Sequence, residues 1–98
     1  MKKLLIKNVT GTSGGASGRL EVDCSDGGSY LVPRDVPRST YRNATIAVLL
    51  DENGETVTIA KVEEFGENGR PTKWIPLVRG NRLTLDGTEE VIDCRQTA

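Results

Sequence analysis

The sequence predicts an all-β fold, a small antiparallel β-sandwich or barrel of about eight or nine short strands. Turn signals recur about every eight to twelve residues, which is the spacing of small all-β domains. No segment keeps the 3.6-residue apolar period of an amphipathic helix. The stretch 44–63 holds two apolar runs around Asn53-Gly54, the pair that best suits a two-residue hairpin turn. A β-hairpin is therefore expected at the centre of the fold.

Length and composition indicate one domain. A chain of 98 residues supports a single hydrophobic core, so residues 1–98 are assigned to one β domain. Apolar residues make up 36% and aromatic residues 4%, so aliphatic side chains must form most of that core. The net charge of -1 gives no overall field that would attract nucleic acid or an anionic membrane, and such binding would need a local basic patch.

The first half of the chain contains three predicted strands. Lys3 to Val9 is the first, and the glycine- and serine-rich segment 11–18 after it is predicted to be a flexible loop. Arg19 to Cys24 alternates apolar and polar residues and forms a hairpin with Ser29 to Val32. Two prolines then mark a connection at 33–43 in which one helical turn is possible.

The central hairpin has two possible registers. A two-residue turn sets Leu50 opposite Val57 and Val48 opposite Ile59, with Ile46 on the same buried face. A looser turn over Asp51 to Gly54 shifts the pairing by one, so that Leu50 and Val48 lie opposite Thr56 and Thr58. We prefer the first register because it gives one face that is almost wholly apolar.

The second half adds short strands and turns. Lys73 to Arg79 reads as a strand, and Pro76 places it at a sheet edge or a bulge because proline cannot donate a ladder hydrogen bond. Gly80-Asn81 fits a tight turn into a strand at Arg82 to Leu85. Glu89 to Cys94 is the last strand, and 95–98 is a polar tail.

The two cysteines and the absence of histidine limit the chemistry. Alternation points Cys24 and Cys94 inward, so we expect buried, reduced thiols, with a disulfide between them as the alternative. Without histidine the chain lacks the usual general base and the common metal ligand, so we expect no enzyme, no metal and no cofactor. The carboxylates lie mainly in turns and at outward positions, which favours solvated surface over catalysis.

The start of the chain predicts a cytoplasmic protein. Three apolar residues before Lys7 are too few for a secretory signal, which needs about 7 to 15. No stretch reaches the roughly 20 apolar residues of a membrane span. We expect a cytoplasmic location, or a virion if the protein belongs to a viral assembly, and no membrane partner.

Basic residues concentrate in two zones that are candidate binding surfaces. Between Asn68 and Leu85 the chain has no acid, and this zone also holds the tryptophan. Aromatic side chains among basic ones can hold single-stranded nucleic acid. The alternative is that the tryptophan is in the core and the bases pair with the protein's own acids. The predicted partner-binding residues are Arg70, Lys73, Trp74, Arg79 and Arg82, and a secondary basic zone contains Arg34, Arg38 and Arg42.

These observations lead to three hypotheses for function. The first is a non-enzymatic structural or protein-protein interaction module, with a homo-oligomer or a larger assembly such as a virion as its setting. It rests on the missing catalytic chemistry and on acidic and basic segments that can pair between copies. The second is a small β-barrel that binds nucleic acid. The third is a protein inhibitor that acts through its acidic surface.

Overall fold

The computed structural model describes residues 2–14, 20–25, 27–33, 35–78 and 83–95, and it shows an all-β, barrel-like fold. The described residues form one short helix and seven strands in a single curled sheet. The sandwich and the count of eight or nine strands are not confirmed. The elements are β1 (Lys3–Gly14), β2 (Leu20–Cys24), β3 (Ser29–Val32), α1 (Arg38–Tyr41), β4 (Thr45–Leu50), β5 (Thr56–Phe65), β6 (Pro71–Pro76) and β7 (Glu90–Asp93).

The long strand β1 organises the sheet, whose order is β3-β2-β1-β4-β5-β6 with β7 also paired to β1. On one side β1 pairs with β4 over its first half. On its other side it pairs first with β7 and then with β2. The pairing of β1 with β7 is parallel, so the prediction of a purely antiparallel sheet is wrong at this one strand. The chain reaches β7 by crossing over from β6, which allows a parallel partner.

The first strand is longer than the sequence predicts. Residues 11–14 continue β1 and pair with β2, although composition assigns them to a flexible loop. A register shift between Val9 and Gly11 leaves Thr10 as the extra residue of a bulge. The ladder with β2 supplies the hydrogen bonds that keep this glycine-containing stretch extended. The rest of the predicted loop, 15–18, lies outside the described residues.

Along most of its length, the central hairpin has the register of the two-residue turn. Val48 lies opposite Ile59 and Ile46 lies opposite Lys61. Ile46, Val48 and Ile59 are buried together, as predicted.

Close to the turn the register differs. Leu50 lies opposite Thr56, the pairing of the looser turn, and a bulge at Val57 restores the other register. The bulge turns Val57 outward, where its side chain is 47% exposed. The prediction that Val57 belongs to the buried face is therefore wrong, and Leu50 is only half-buried against that core.

The turn itself explains the bulge. The Oδ1 atom of Asp51 accepts hydrogen bonds from the backbone N–H groups of Asn53 and Glu55, both at 2.9 Å. Gly54 has a φ of 80°, which a glycine adopts without strain. These bonds stabilise a loop one residue longer than the tight turn. Val57 is the bulged residue that returns the pairing to the register of the tight turn.

The curled sheet buries apolar side chains on both faces, in two clusters. The first core lies on the face of Val48 and includes residues from α1, β2 and β3. The second lies on the face of Ala47. The buried members of the first core are Val9, Cys24, Val32, Tyr41, Ile46, Val48, Ile59 and Leu77. Those of the second core are Leu4, Ile6, Ala47, Leu49, Ala60, Val62 and Leu83.

The remaining predictions have mixed outcomes. The helical turn after Pro37 is present as α1, and the β2–β3 hairpin and the last strand form. Residues 83–85 do not form the predicted strand, because Leu83 packs into the second core as part of the crossover. Neither cysteine is in a disulfide, and Cys24 is buried while Cys94 is only half-buried. The Gly80-Asn81 turn and the tail 96–98 lie outside the described residues.

Candidate interaction edge

Strand β6 is an end strand of the sheet, as Pro76 predicts. Leu77 donates its N–H to the carbonyl oxygen of Ile59 at 2.9 Å. Because antiparallel pairs alternate in hydrogen bonding, the nitrogen of Pro76 lies on the side away from β5, where no ladder bond is lost. The same alternation directs the backbone N–H and C=O of Trp74 toward that open side.

The predicted site residue Arg70 has an internal role. Its guanidinium contacts the carboxylate of Glu89 at 2.7 Å and donates a second bond to the Glu89 carbonyl oxygen at 2.9 Å. The Glu89 side chain is 1% exposed. The Arg70 side chain is 21% exposed, and its guanidinium is held by Glu89. We therefore leave Arg70 out of the binding surface defined below.

Trp74 and Lys73 differ in exposure. The Trp74 ring is half-buried against the second core. Lys73 lies 3.7 Å from the Glu63 carboxylate, and 63% of its side chain is exposed. Such an exposed ion pair leaves the ammonium group accessible to another anion. Arg79 and Arg82 lie outside the described residues.

An exposed apolar residue that sequence reasoning missed lies between these positions. Ile75 is 39% exposed, and Pro76 beside it is also exposed. Ile75 pairs with Lys61 on the neighbouring strand, so a second lysine lies beside it. We call Lys61, Lys73, Trp74, Ile75 and Pro76 the β6 edge: Lys61 and Lys73 lie on the same face as Ile75, and Trp74 and Pro76 lie on the opposite face. The sequence could have indicated the exposure of Ile75, because Ile75 lies in the strand that Pro76 assigns to an edge. Side chains of an edge strand have a neighbouring strand on one side only.

The opposite charge is presented at the tip of the central hairpin. Glu52 and Glu55 are exposed there, while Asp51 is half-buried because its carboxylate holds the turn. Glu64, the partner of Lys73 in the ladder, lies nine positions after Glu55. Along an extended strand that is at most about 30 Å. We call residues 51–55 the hairpin tip.

The secondary basic zone borders a polar groove. Arg42 and Asn43 form one wall of a cavity of about 290 Å³, and residues 9–12 of β1 form the other. Asn43 has a φ of 56°, a left-handed conformation that asparagine tolerates better than most residues. Arg38, one helical turn earlier, is exposed. Arg34 lies outside the described residues.

Buried polar groups lie in the first core. Lys7 is 3% exposed, and its Nζ donates a hydrogen bond to the Tyr30 hydroxyl. Among the described residues, the hydroxyl of fully buried Tyr41 has no hydrogen-bond partner, and burial raises the pKa of that phenol. The side chains of Lys7 and Tyr41 are therefore both enclosed by the curled sheet.

Within the described residues, no group of three or more potential metal ligands lies together. Nor does any helix there have the length and apolar character to cross a membrane.

Comparison of the chain with models of protein families, with curated proteins and with solved structures gives no match.

Proposed function

We propose that this protein is a non-enzymatic structural module that assembles with further copies of itself. In this proposal the β6 edge of one copy binds the hairpin tip of the next, within a larger complex such as a virion or a cytoplasmic assembly. The observation that carries the proposal is the separation of charge: lysines flank exposed Ile75 at the end strand, and free glutamates occupy the hairpin tip.

The two surfaces suit contact between copies better than contact within one. The hairpin tip and Lys73 lie toward opposite ends of β5, so Glu52 and Glu55 do not neutralise Lys73 in their own chain. Opposite charges on different surfaces favour a head-to-tail contact, which forms a ring if the rotation closes and a filament if it does not. The exposed Ile75 and the outward backbone groups of Trp74 add apolar and hydrogen-bonding contacts to the charge attraction.

Charge reversal in two matched variants tests the proposal. The edge variant carries Lys61→Glu and Lys73→Glu, and the tip variant carries Glu52→Lys and Glu55→Lys. Each alone should fail to assemble, because like charges then meet at the contact. An equimolar mixture of the two should assemble again, since the acidic edge of one fits the basic tip of the other.

A control reversal at Arg38, which is exposed and belongs to neither surface, should leave assembly unchanged, and thermal melting should confirm that each variant is folded. If the mixture stays monomeric while wild type assembles, the contact does not join edge to tip. If both single variants assemble as wild type does, the charges have no part in it.

The polar groove favours nucleic acid as a second candidate partner. Arg42 is exposed in its wall and Arg38 lies close in sequence, so phosphate groups would find two cations there. Binding of single-stranded DNA or RNA would weaken with salt, by roughly one logarithmic slope unit per phosphate contact. Arg42→Ala should reduce that slope, whereas Lys73→Ala should not. A wild-type protein that binds neither nucleic acid at low salt would remove this candidate.

A further inference from the structure

Strands β2 and β7 lie end to end along the same side of β1. β7 pairs with residues 3–6 of β1, and β2 pairs with residues 9–14. Ser25 joins the two ends: its hydroxyl donates to the carbonyl oxygen of Cys94 at 2.9 Å and accepts from the N–H of Asn8 at 3.3 Å. The C-terminal ends of β2 and β7 therefore meet: Cys24 is the last residue of β2, and Cys94 directly follows β7.

The sheet register gives the spacing of these cysteines. Cys24 lies opposite Val9. Cys94 donates its N–H to the carbonyl oxygen of Ile6 at 2.7 Å and follows Asp93, the partner of Ile6, so it lies level with Lys7. Two positions along β1 correspond to about 6.6 Å. Disulfides join Cα atoms about 4.4 to 6.8 Å apart.

Both cysteines also belong to one face of the sheet. Val9 is buried in the first core, and Cys24 opposite it is buried in the same core. Lys7 lies two residues before Val9 and pairs with Ile46, another member of that core. Residues level with each other across a sheet share a face, so Cys94 is on the face of Cys24. Spacing and direction are therefore both suitable for a bond.

We propose that Cys24 and Cys94 are a redox-active pair that forms an intramolecular disulfide by exchange with a small disulfide such as oxidised glutathione. Cys94 is half-buried and Cys24 is 4% exposed, so Cys94 is the thiol that the oxidant reaches. Its thiolate attacks one sulfur of glutathione disulfide, forms a mixed disulfide and releases one glutathione thiolate.

The second step completes the exchange. The Cys24 thiolate attacks the Cys94 sulfur and displaces the other glutathione as a thiolate. Two protein thiols are oxidised, one glutathione disulfide is reduced to two glutathione molecules, and the two protons from the protein thiols are taken up by the glutathione thiolates. The new bond ties β7, whose strand partner among the described residues is β1, to the end of β2. Oxidation should therefore stabilise the C-terminal strand against local opening.

The experiment is incubation of the folded full-length protein with oxidised glutathione, followed by acid quenching and intact mass spectrometry. The wild-type monomer should lose two hydrogen atoms in mass, and dithiothreitol should restore the original mass. Cys24→Ser should stop at an adduct carrying one glutathionyl group. Cys94→Ser should react several-fold more slowly, because only the buried thiol remains.

Two further outcomes would overturn the proposal. One is a wild-type protein that keeps the glutathionyl group with Cys24 still free. The other is a disulfide that forms only in denaturant or only between two chains. The melting temperatures of oxidised and reduced wild type give a second readout that needs no variant: an unchanged or lowered value on oxidation contradicts the spacing inferred from the register.

Discussion

Arg70 and Glu89 join the two ends of a five-stranded part of the sheet. Arg70 immediately precedes β6 and Glu89 immediately precedes β7, and these are the end strands of the order β6-β5-β4-β1-β7. Both oxygens of the Glu89 carboxylate have a partner: one contacts the guanidinium at 2.7 Å, and the other accepts a hydrogen bond from the backbone N–H of Asp86 at 3.1 Å. This ion pair connects the start of β6 to the start of β7.

Removing Arg70 should be costly, because the Glu89 carboxylate then stays buried without its counter-charge. We expect Arg70→Met to lower the free energy of unfolding by about 2 to 4 kcal/mol. The estimate lies slightly under the range for fully buried pairs because the Arg70 side chain is 21% exposed. Urea denaturation followed by circular dichroism measures the loss.

The pair of Asp93 and Arg95 provides a matched control. Its contact is also 2.7 Å, but its side chains are 50% and 35% exposed. Arg95→Met should cost less than about 1 kcal/mol. Combining Arg70→Met with Glu89→Leu should recover most of the stability, since no charge is then buried. Equal losses at Arg70 and Arg95 would refute the structural role of the buried pair.

The bulge in the central hairpin predicts that Val48 and Val57 differ in how well they tolerate a charge. Val48→Asp should unfold the domain, because Val48 is fully buried and an unpaired charge there costs several kcal/mol. Val57→Asp should change stability by only about 0.5 kcal/mol, because Val57 is 47% exposed. Thermal melting of the two variants makes the comparison. A Val57→Asp protein as unstable as Val48→Asp would restore the tight-turn register up to the loop.

The hairpin turn depends on the conformation of Gly54. Its φ of 80° strains a side chain, although nothing lies within 4 Å of an added Cβ. Gly54→Ala should therefore cost about 1 kcal/mol through backbone strain alone. Gly54→Asn should cost less, because asparagine tolerates this region. If the two variants are equally stable by urea denaturation, strain at this position is not what limits the turn.

Acid stability should depend in part on Asp93. Hydrogen bonds from the Arg95 side chain and backbone lower the pKa of Asp93 to about 2. The pKa of an unfolded aspartate is about 3.9, so this pair stabilises the folded state above that pH, and the stabilisation is lost as the pH falls toward 2. Asp93→Asn should flatten the pH dependence of the urea midpoint between these values. Glu52→Gln, which removes another exposed carboxylate, is the control, and an Asp93→Asn curve parallel to wild type would contradict the assignment.

The sequence predicts the features that depend on neighbouring residues. The all-β class, the edge position of Pro76, the helical turn and the pairing of Val48 with Ile59 all follow from alternation and turn chemistry. The bulge at Val57 escaped prediction because it depends on which backbone groups the Asp51 side chain bonds.

Features that join distant segments could not be predicted in this way. Glu89 reads as surface in sequence, and only the curl of the sheet brings Arg70 to it across nineteen residues. The β6 edge is partly predictable: Lys73 is exposed as expected, whereas Arg70 is half-buried against Glu89 and Ile75 was missed. Leu83 reads as a strand residue, but the crossover to β7 takes it into the second core.

Self-assembly is the central claim, and the native mass of the purified wild-type protein tests it most directly. Sedimentation equilibrium over a range of protein concentrations, at low and at high salt, gives that mass. We predict a mass that rises with concentration at low salt and approaches that of the 10.6 kDa chain at high salt, because salt screens the contact between edge and tip. A single monomer mass under every condition, up to the highest concentration that stays in solution, would contradict the account.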